Sequence, residues 1–303
     1  VKWPVWSPGK AYHIPMMRRR LEDWLLREAK GFDIIHIHSV HSVFSVSILR
    51  YLSRLGLFIV LTPYYHGSGH TLFRRFLWLY WRKYVRNLIK RCGVVHTVSR
   101  FEAELVRRDF GVDAVVIENG VEGWIKEVKW VPSNYVMYSG RIESYKNIDL
   151  LAQITKLLNT EYGIDLELKV FGEGPYKTKL KKILDSLGIR YEIKGFQPFE
   201  KYIELLSHAS LYGLLSQKES YPQSINEANA IGVPTLIAKP WGINFQGRSR
   251  TLVIDLNKNI RSITKIVYEF LERAPKEQRS DVPTWDDVVN TYIAKLYARP
   301  YHG

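Results

Sequence analysis

With a single cysteine, Cys92, in 303 residues, the chain cannot form an internal disulfide, which excludes a disulfide-stapled secreted scaffold and suits a reducing compartment. Cys92 stands beside Gly93 at the entry to an apolar run, the setting of a small buried hydrophobe rather than a nucleophile. No uninterrupted apolar run reaches the ~18 to 20 residues that a membrane-spanning helix needs; Arg, Lys, His or Gly breaks each one. A basic start followed by an apolar stretch and a small-residue cleavage site is also missing, so the expectation is a soluble or peripheral cytoplasmic protein. The chain begins at Val1 rather than Met, as a fragment or a processed form would.

Negative charge is the other scarcity. No acidic residue lies between Asp33 and Glu102, an interval holding ten Lys and Arg. Residues 1–130 contain 21 basic against 11 acidic residues, +10 of the total +14. Such a field attracts phosphates, anionic lipid or nucleic acid. From Leu72 to Arg91, seven basic residues alternate with Phe73, Phe76, Trp78, Tyr80, Trp81 and other apolar side chains. Two readings stay open for this segment: a helix lying on an anionic membrane surface, and a core helix with a basic outer face.

Apolar residues make up 46% of the chain, enough for one large or two ordinary cores. Short β-branched runs at 33–38, 57–62, 93–98 and 115–117 alternate with amphipathic helical stretches, and 122–134 has no periodicity and suits a linker. A second series of strands follows at 135–139, 165–171, 190–194, 211–216, 234–238 and 252–254, with helices at 148–158, 176–187, 199–209 and 260–273 and a terminal helix at 284–297. This pattern predicts two doubly wound α/β domains, spanning 1–128 and 129–283, with the 284–303 helix bracing the first. Nothing before Asp33 reads as a strand.

Two constellations carry chemistry. In Ser139-Gly140-Arg141-Ile142-Glu143-Ser144-Tyr145-Lys146, a strand ends and a helix is about to begin, so Gly140 permits close backbone approach while Arg141 and Lys146 offer cations to a diphosphate. In Ser216-Gln217-Lys218-Glu219-Ser220-Tyr221-Pro222-Gln223-Ser224-Ile225-Asn226-Glu227, a strand runs into a loop bearing Glu219, and Pro222 suits the first turn of the next helix. Glu227 falls in a small-residue apolar helix, where a buried carboxylate needs a partner and a ribose is one. His36 and His38 share a strand face with no third ligand in view, so no metal site is expected.

These motifs, together with Gly172-Glu173-Gly174-Pro175, Gly195-Phe196 and Ala228, Gly232 and Pro234, occur in an order that resembles the donor domain of the retaining GT-B glycosyltransferases typified by sucrose synthases and phosphatidylinositol mannosyltransferases, glycosyltransferase family 4-like. The resemblance extends to Asp33–Ser39, Leu61–His66, His96–Ser99 with Glu102, and Asn119-Gly120-Val121, so it covers nearly the whole chain. It implies an α/β GT-B fold, with two Rossmann-like doubly wound domains facing across a cleft that closes on substrate, the first incomplete at its start. It further implies transfer of a sugar from a UDP-, GDP- or ADP-sugar to an acceptor hydroxyl, with retention, without a metal, and with no cofactor beyond the donor; the basic aromatic segment 72–91 adds a lipid-linked glycan as a candidate acceptor.

Residue by residue, the resemblance assigns the donor site to Gly140, Arg141, Lys146, Gly195, Phe196, Gln223, Ser224 and Glu227, with Glu219 and His66 at the reacting sugar. His66 stands in a loop whose Gly67-Ser68-Gly69 tail predicts exposure. The sequence departs from the family in carrying Ser220-Tyr221-Pro222 where Gly-Phe-Gly is usual, and the proline removes one N–H donor. Two rival readings remain: an inactive GT-B scaffold, and a basic nucleic-acid-binding module, although no specific nucleic acid is expected as a partner.

Overall fold

Alternating β-branched strands and amphipathic helices give two parallel α/β sheets in the computed structural model, which describes residues 2–7, 13–67, 72–273 and 281–297 and the side chains of these except 72–75. The chain divides into two compact units, Val1–Glu118 with Asp287–Gly303, and Asn119–Asp286.

The first unit opens with a short antiparallel pair, β1 (Val5–Trp6) and β2 (Ile14–Pro15). Sequence reading misses it because each strand has only two ladder residues, too few for periodicity to register. Helix α1 (Arg18–Glu28) then leads into β3 (Ile35–His38), α2 (Val43–Leu52), β4 (Ile59–Thr62), α3 (Leu72–Ile89), β5 (Val94–Thr97), α4 (Arg100–Phe110) and β6 (Val115–Val116). The strands pair in parallel in the order β3-β4-β5-β6. All four residues of β4 are buried, whereas β3 has only Ile37 buried and His38 exposed. Despite its β-branched run, β3 is only partly buried; among the described residues it is one edge of the sheet, with β6 at the other.

The second unit runs β7 (Tyr135–Ser139), α5 (Ile148–Tyr162), β8 (Glu167–Phe171), α6 (Lys177–Leu187), β9 (Tyr191–Lys194), α7 (Phe199–Ser207), β10 (Leu211–Leu214), α8 (Gln223–Ile231), β11 (Thr235–Ala238), β12 (Thr251–Ile254) and α9 (Ile260–Arg273). Its sheet is wholly parallel with order β12-β11-β10-β7-β8-β9. The first and fourth strands of the unit are thus neighbours, and the strand order reverses between them, as in dinucleotide-binding folds. Helix α5 shows how patterning becomes burial: Leu151, Ile154 and Leu158 recur at helical spacing and are fully buried, each contributing about 1.5–3 kcal/mol. Its end is set by Gly163, whose left-handed conformation closes the C-cap.

The unit boundary falls at Glu118/Asn119 rather than at 128/129. Asn119–Val121 belongs with the second unit because Val121 bridges Thr284, and Val121 and Trp285 exchange backbone hydrogen bonds with Pro283 and Val121. The 122–134 segment is also more ordered than a linker. Gly123–Glu127 forms a 3-10 helix, and Trp130 stacks beneath the buried Arg250 guanidinium, 3.8 Å from its ring centre. Chemistry decides this where periodicity is blind: a tryptophan face stabilises a desolvated guanidinium. After α10 (Trp285–Tyr292) the helix widens into one π turn, Ile293–Tyr297, and Val288 and Leu296 pack with Val60 and Ile117 of the first unit.

Candidate functional site

The carboxyl ends of β7, β8 and β10 determine what the second unit can bind. Ser139, Phe171 and Lys194 lie in register across β7, β8 and β9, so the loops that follow emerge side by side. Gly140 and Gly172 N–H groups continue the ladder to the Phe171 and Lys194 carbonyls, and Ile142 N–H donates to Glu173 O. The two loops are pressed together so closely that a Cβ on Gly172 would lie 1.9 Å from Gly140 O, and one on Gly174 would lie 2.2 Å from Ile142 O. Gly172 also has φ +144, a region that L side chains rarely adopt. The Gly-Glu-Gly turn thus shapes the Gly140-Arg141 loop from below.

Lys146 and Glu219 meet where the strand order reverses. The turn Ser144–Lys146 and the β10 loop are stitched by Gln217 N–H to Tyr145 O (3.0 Å) and by Asn147 Nδ2 to Leu215 O (2.8 Å). Across this seam Lys146 Nζ donates to Glu219 Oε1 at 2.5 Å, and Ser216 Oγ donates to the same oxygen at 2.6 Å. Both charged side chains are largely withdrawn from solvent, at 14% and 17% exposure. Arg141 behaves differently: its side chain is 69% exposed and pairs with Glu143 at 2.7 Å. A largely exposed pair of this kind contributes little to stability and leaves the guanidinium available to a ligand.

Glu227 lies on α8 and is 6% exposed. The partner its burial demands is Tyr202, whose Oη donates to Oε2 at 2.8 Å. Burial raises the Glu227 carboxyl to about 7, against the opposing pull of the Tyr202 hydrogen bond. Beneath it, Tyr212 Oη bonds Ser139 Oγ at 2.9 Å and Ser224 as well, and burial lifts this phenol to about 12. Neither tyrosine is visible as a site residue in the sequence, since each falls at an ordinary position of an amphipathic helix or a buried strand.

The raised Glu227 pKa has a definite sign. The folded state keeps the proton between the ordinary 4.5 and about 7, so ionisation of Glu227 erodes stability as pH rises through that window. Glu227→Gln, which can still accept from Tyr202, will melt with wild type near pH 4.5 and above it at pH 8, in scans across that range. At pH 8, where Glu227 is ionised, nucleotide affinity of the same variant will fall by about tenfold or more, the worth of a hydrogen bond to a charged acceptor.

At the start of α8, Gln223 Nε2 donates to Gly120 O and Asn226 Nδ2 to Asn119 O. Gln223 Oε1 is buried with no hydrogen-bond partner among the described residues. Arg248 ties Asn226 Oδ1 and Tyr221 Oη, both at 2.8 Å, holding the Tyr221-Pro222 loop against the helix. Gly195 and Phe196 follow β9, and Phe196 is 71% exposed, an open aromatic face at the same sheet edge.

In the first unit His66 belongs to the loop after β4. Its ring stacks on His41 at 4.3 Å, and His41 in turn meets Trp78 edge-on at 4.7 Å. The loop is anchored by its neighbour Tyr65, fully buried, whose N–H donates to Glu102 Oε1 at 2.6 Å and whose hydroxyl donates to Asp109 Oδ2 at 2.6 Å. Glu102 also accepts from Val98 N–H, and its own N–H donates to the Ser99 cap of α4. One buried carboxylate thereby ties the β4 and β5 loops, and burial raises it to about 7. Ser68 and Gly69 of the expected loop tail lie outside the described residues.

His36 and His38 stack at 4.3 Å, but His36 is committed to structure. Tyr297 Oη meets His36 Nδ1 at 2.8 Å, His36 Nε2 meets Thr62 Oγ1 at 2.7 Å, and Thr62 Oγ1 meets His96 Nδ1 at 2.8 Å. The chain ends with His96 Nε2 donating to Ile117 O at 3.0 Å, so both rings are held neutral; burial, with His38 and His96 nearby, lowers His36 to about 4.

The family model "Glycosyl transferases group 1" matches residues 114–281, and "Glycosyltransferase Family 4" matches residues 1–122. An uncharacterized glycosyltransferase of Haemophilus influenzae is 29% identical over 148 residues, 48% of this chain and 42% of that protein. The GDP-mannose:cellobiosyl-diphosphopolyprenol alpha-mannosyltransferase of Komagataeibacter xylinus is 23% identical over 221 residues, 71% of this chain and 56% of that one. The aligned region thus spans about half the length of each curated relative. Among solved structures, Anabaena HepE in complex with UDP and glucose is similar with a TM-score of 0.74 and 15% identity, covering 92% of this chain and 82% of that one. Sucrose-phosphate synthase from Thermosynechococcus elongatus has a TM-score of 0.71 at 16% identity, covering 94% and 80%. The likeness establishes two Rossmann-like units of the GT-B class.

Proposed function

The chain belongs to the glycosyl transferases group 1 family, and on that premise we propose that it transfers a sugar from a nucleoside diphosphate to an acceptor hydroxyl with retention. The observation that carries the proposal is the Lys146–Glu219 pair at the strand-order reversal of the second unit, flanked by the Gly140 loop and by Glu227. Ligands of open parallel sheets bind at this position.

Arg141 and Lys146 bind the diphosphate and stabilise the charge that develops on it as it leaves, the task a divalent ion performs elsewhere. Glu227 binds the ribose, Gly195 and Phe196 meet the base, and the α8 start with Gln223 and Ser224 lies against the donor. Glu219 contacts the hydroxyls of the donor sugar and stabilises positive charge at the anomeric carbon. With no nucleophile assigned, the leaving phosphate assists attack on the same face, and His66 contacts the donor sugar or the acceptor.

The acceptor is a lipid-linked glycan, a reading supported by the acceptor named for the Komagataeibacter relative and by α3. That helix turns Val85, Leu88 and Ile89 inward and exposes Phe76, Leu77, Tyr80 and Tyr84 beside Lys83, Arg86 and Lys90, a face suited to the cytoplasmic surface of an anionic membrane. No helix among the described residues is long and apolar enough to cross a membrane.

Thermal unfolding with UDP-, GDP- and ADP-sugars tests the donor site, because a ligand of the folded state raises the melting temperature by mass action. One nucleotide series will raise it, and its sugar will appear on a polyprenyl-diphosphate glycan acceptor in a transfer assay. Absence of a shift with every nucleotide sugar overturns the proposal.

A further inference from the structure

Three arginines line a cavity of 230 Å³ in the first unit, between the start of α1 and the end of α2. Arg18 comes from the first, Arg50 from the last turn of the second and Arg54 from the turn that follows it, with Ser47, Tyr51 and Glu22 also in the wall. All three arginines are exposed, and among the described residues none makes an ion pair, although Glu22 shares the cavity with them.

Local helix electrostatics explains only part of this cluster. Arg50 in the last turn of α2 complements the negative end of that helix dipole. At α1 the sign is wrong: Arg18, Arg19 and Arg20 occupy its first turn, no acidic residue is there, and Met17 supplies no side-chain cap. Cations at a positive helix end oppose the fold by a few tenths of a kcal/mol to about 1 kcal/mol each. An anion in the cavity reverses that sign for Arg18 and satisfies Arg50 and Arg54 at once.

We propose that this cavity binds a phosphate group, either free or displayed as a lipid phosphomonoester. Three guanidinium groups against one carboxylate leave +2 in the wall, which matches the −1.5 to −2 or so of a phosphomonoester near pH 7. Planar guanidinium forks fit its oxygens in pairs, and the Tyr51 hydroxyl adds a neutral donor, whereas the Ser47 hydroxyl already donates to Val43 O. The cavity is built entirely from the first unit and shares no residue with the proposed donor site, so it can be tested whether or not that reading holds.

The decisive experiment titrates inorganic phosphate at constant ionic strength and follows thermal unfolding, and separately measures co-sedimentation with phosphatidylcholine vesicles with and without phosphatidic acid. Phosphate is expected to raise the melting temperature of wild type and of Lys146→Ala alike. The apparent affinity is expected to fall about tenfold or more in Arg50→Gln/Arg54→Gln. Arg18→Gln, on the other helix, should show the same loss and decides the matter if the double variant does not fold by circular dichroism. If the lipid is the source, phosphatidic-acid-dependent sedimentation falls in parallel; if it is free phosphate, sedimentation stays equal while the phosphate response is lost. The proposal is overturned if wild type responds to neither probe, if the arginine variants respond as wild type does to both, or if Lys146→Ala alone removes the phosphate response.

Discussion

Lys146→Ala will lower glycosyl transfer by about two to three orders of magnitude, the range found when one preorganised electrostatic donor is removed. Lys146 is expected to act twice: it donates to Glu219 at 2.5 Å in the free protein and offers charge to the diphosphate in the complex. Its loss leaves a mostly buried carboxylate that keeps its hydrogen bond from Ser216 but loses its counter-charge, so both the donor KM and kcat should suffer. Glu219→Gln keeps the size of the side chain and its hydrogen bond with Ser216 but removes the charge, so it should depress kcat more than nucleotide affinity. Because the two residues share one hydrogen bond, the double variant should lose little more than the worse single one. Steady-state kinetics on all three variants, reading nucleotide release, checks this, and wild-type turnover in either single variant would remove the pair from the reaction.

The second large effect is structural. Gly172→Ala places a methyl group 1.9 Å from Gly140 O on a backbone with φ +144, so neither rotation nor a side-chain adjustment relieves it. We expect a loss of more than about 3 kcal/mol, a fall in melting temperature of roughly 6 °C or more. Nucleotide binding should go with it, because the displaced atoms belong to the Gly140-Arg141 loop. Gly188→Ala is the control: φ is +64 and a Cβ would meet nothing within 4 Å, so only the backbone preference, about 1 kcal/mol, should be lost. Equal melting temperatures for the two variants would mean that the loops are not packed as described.

The unequal legibility of these features has a physical basis. Most strand and helix bounds in the second unit could be read to within two residues, α5 running four residues past its expected end at 158, because each element has its own apolar pattern and the core has one contiguous face to fill. α9 shows this best: its predicted span is the observed Ile260–Arg273. The Asn119–Val121 segment was misassigned because its partners are far away in sequence, at Pro283–Trp285 and on α8. No local pattern encodes a bridge between two such distant stretches. The β1–β2 pair escaped for the opposite reason, being too short to carry a pattern at all.

What the sequence determined by itself was the set of chemical types at the strand ends: glycines after β7 and β8, a lysine seven residues beyond one strand, a glutamate in the loop of another and a second glutamate on the following helix. These could be read because turn chemistry and strand ends are local. Only the tertiary structure decided who pairs with whom. It joined Lys146 to Glu219 across the reversal of strand order, gave Glu227 to Tyr202, left the Arg141 side chain largely exposed beside Glu143, and made His36 a link between Tyr297 and Thr62. Each of these depends on which strands become neighbours, and a parallel sheet fixes that through crossovers long enough to erase any trace of it from local sequence.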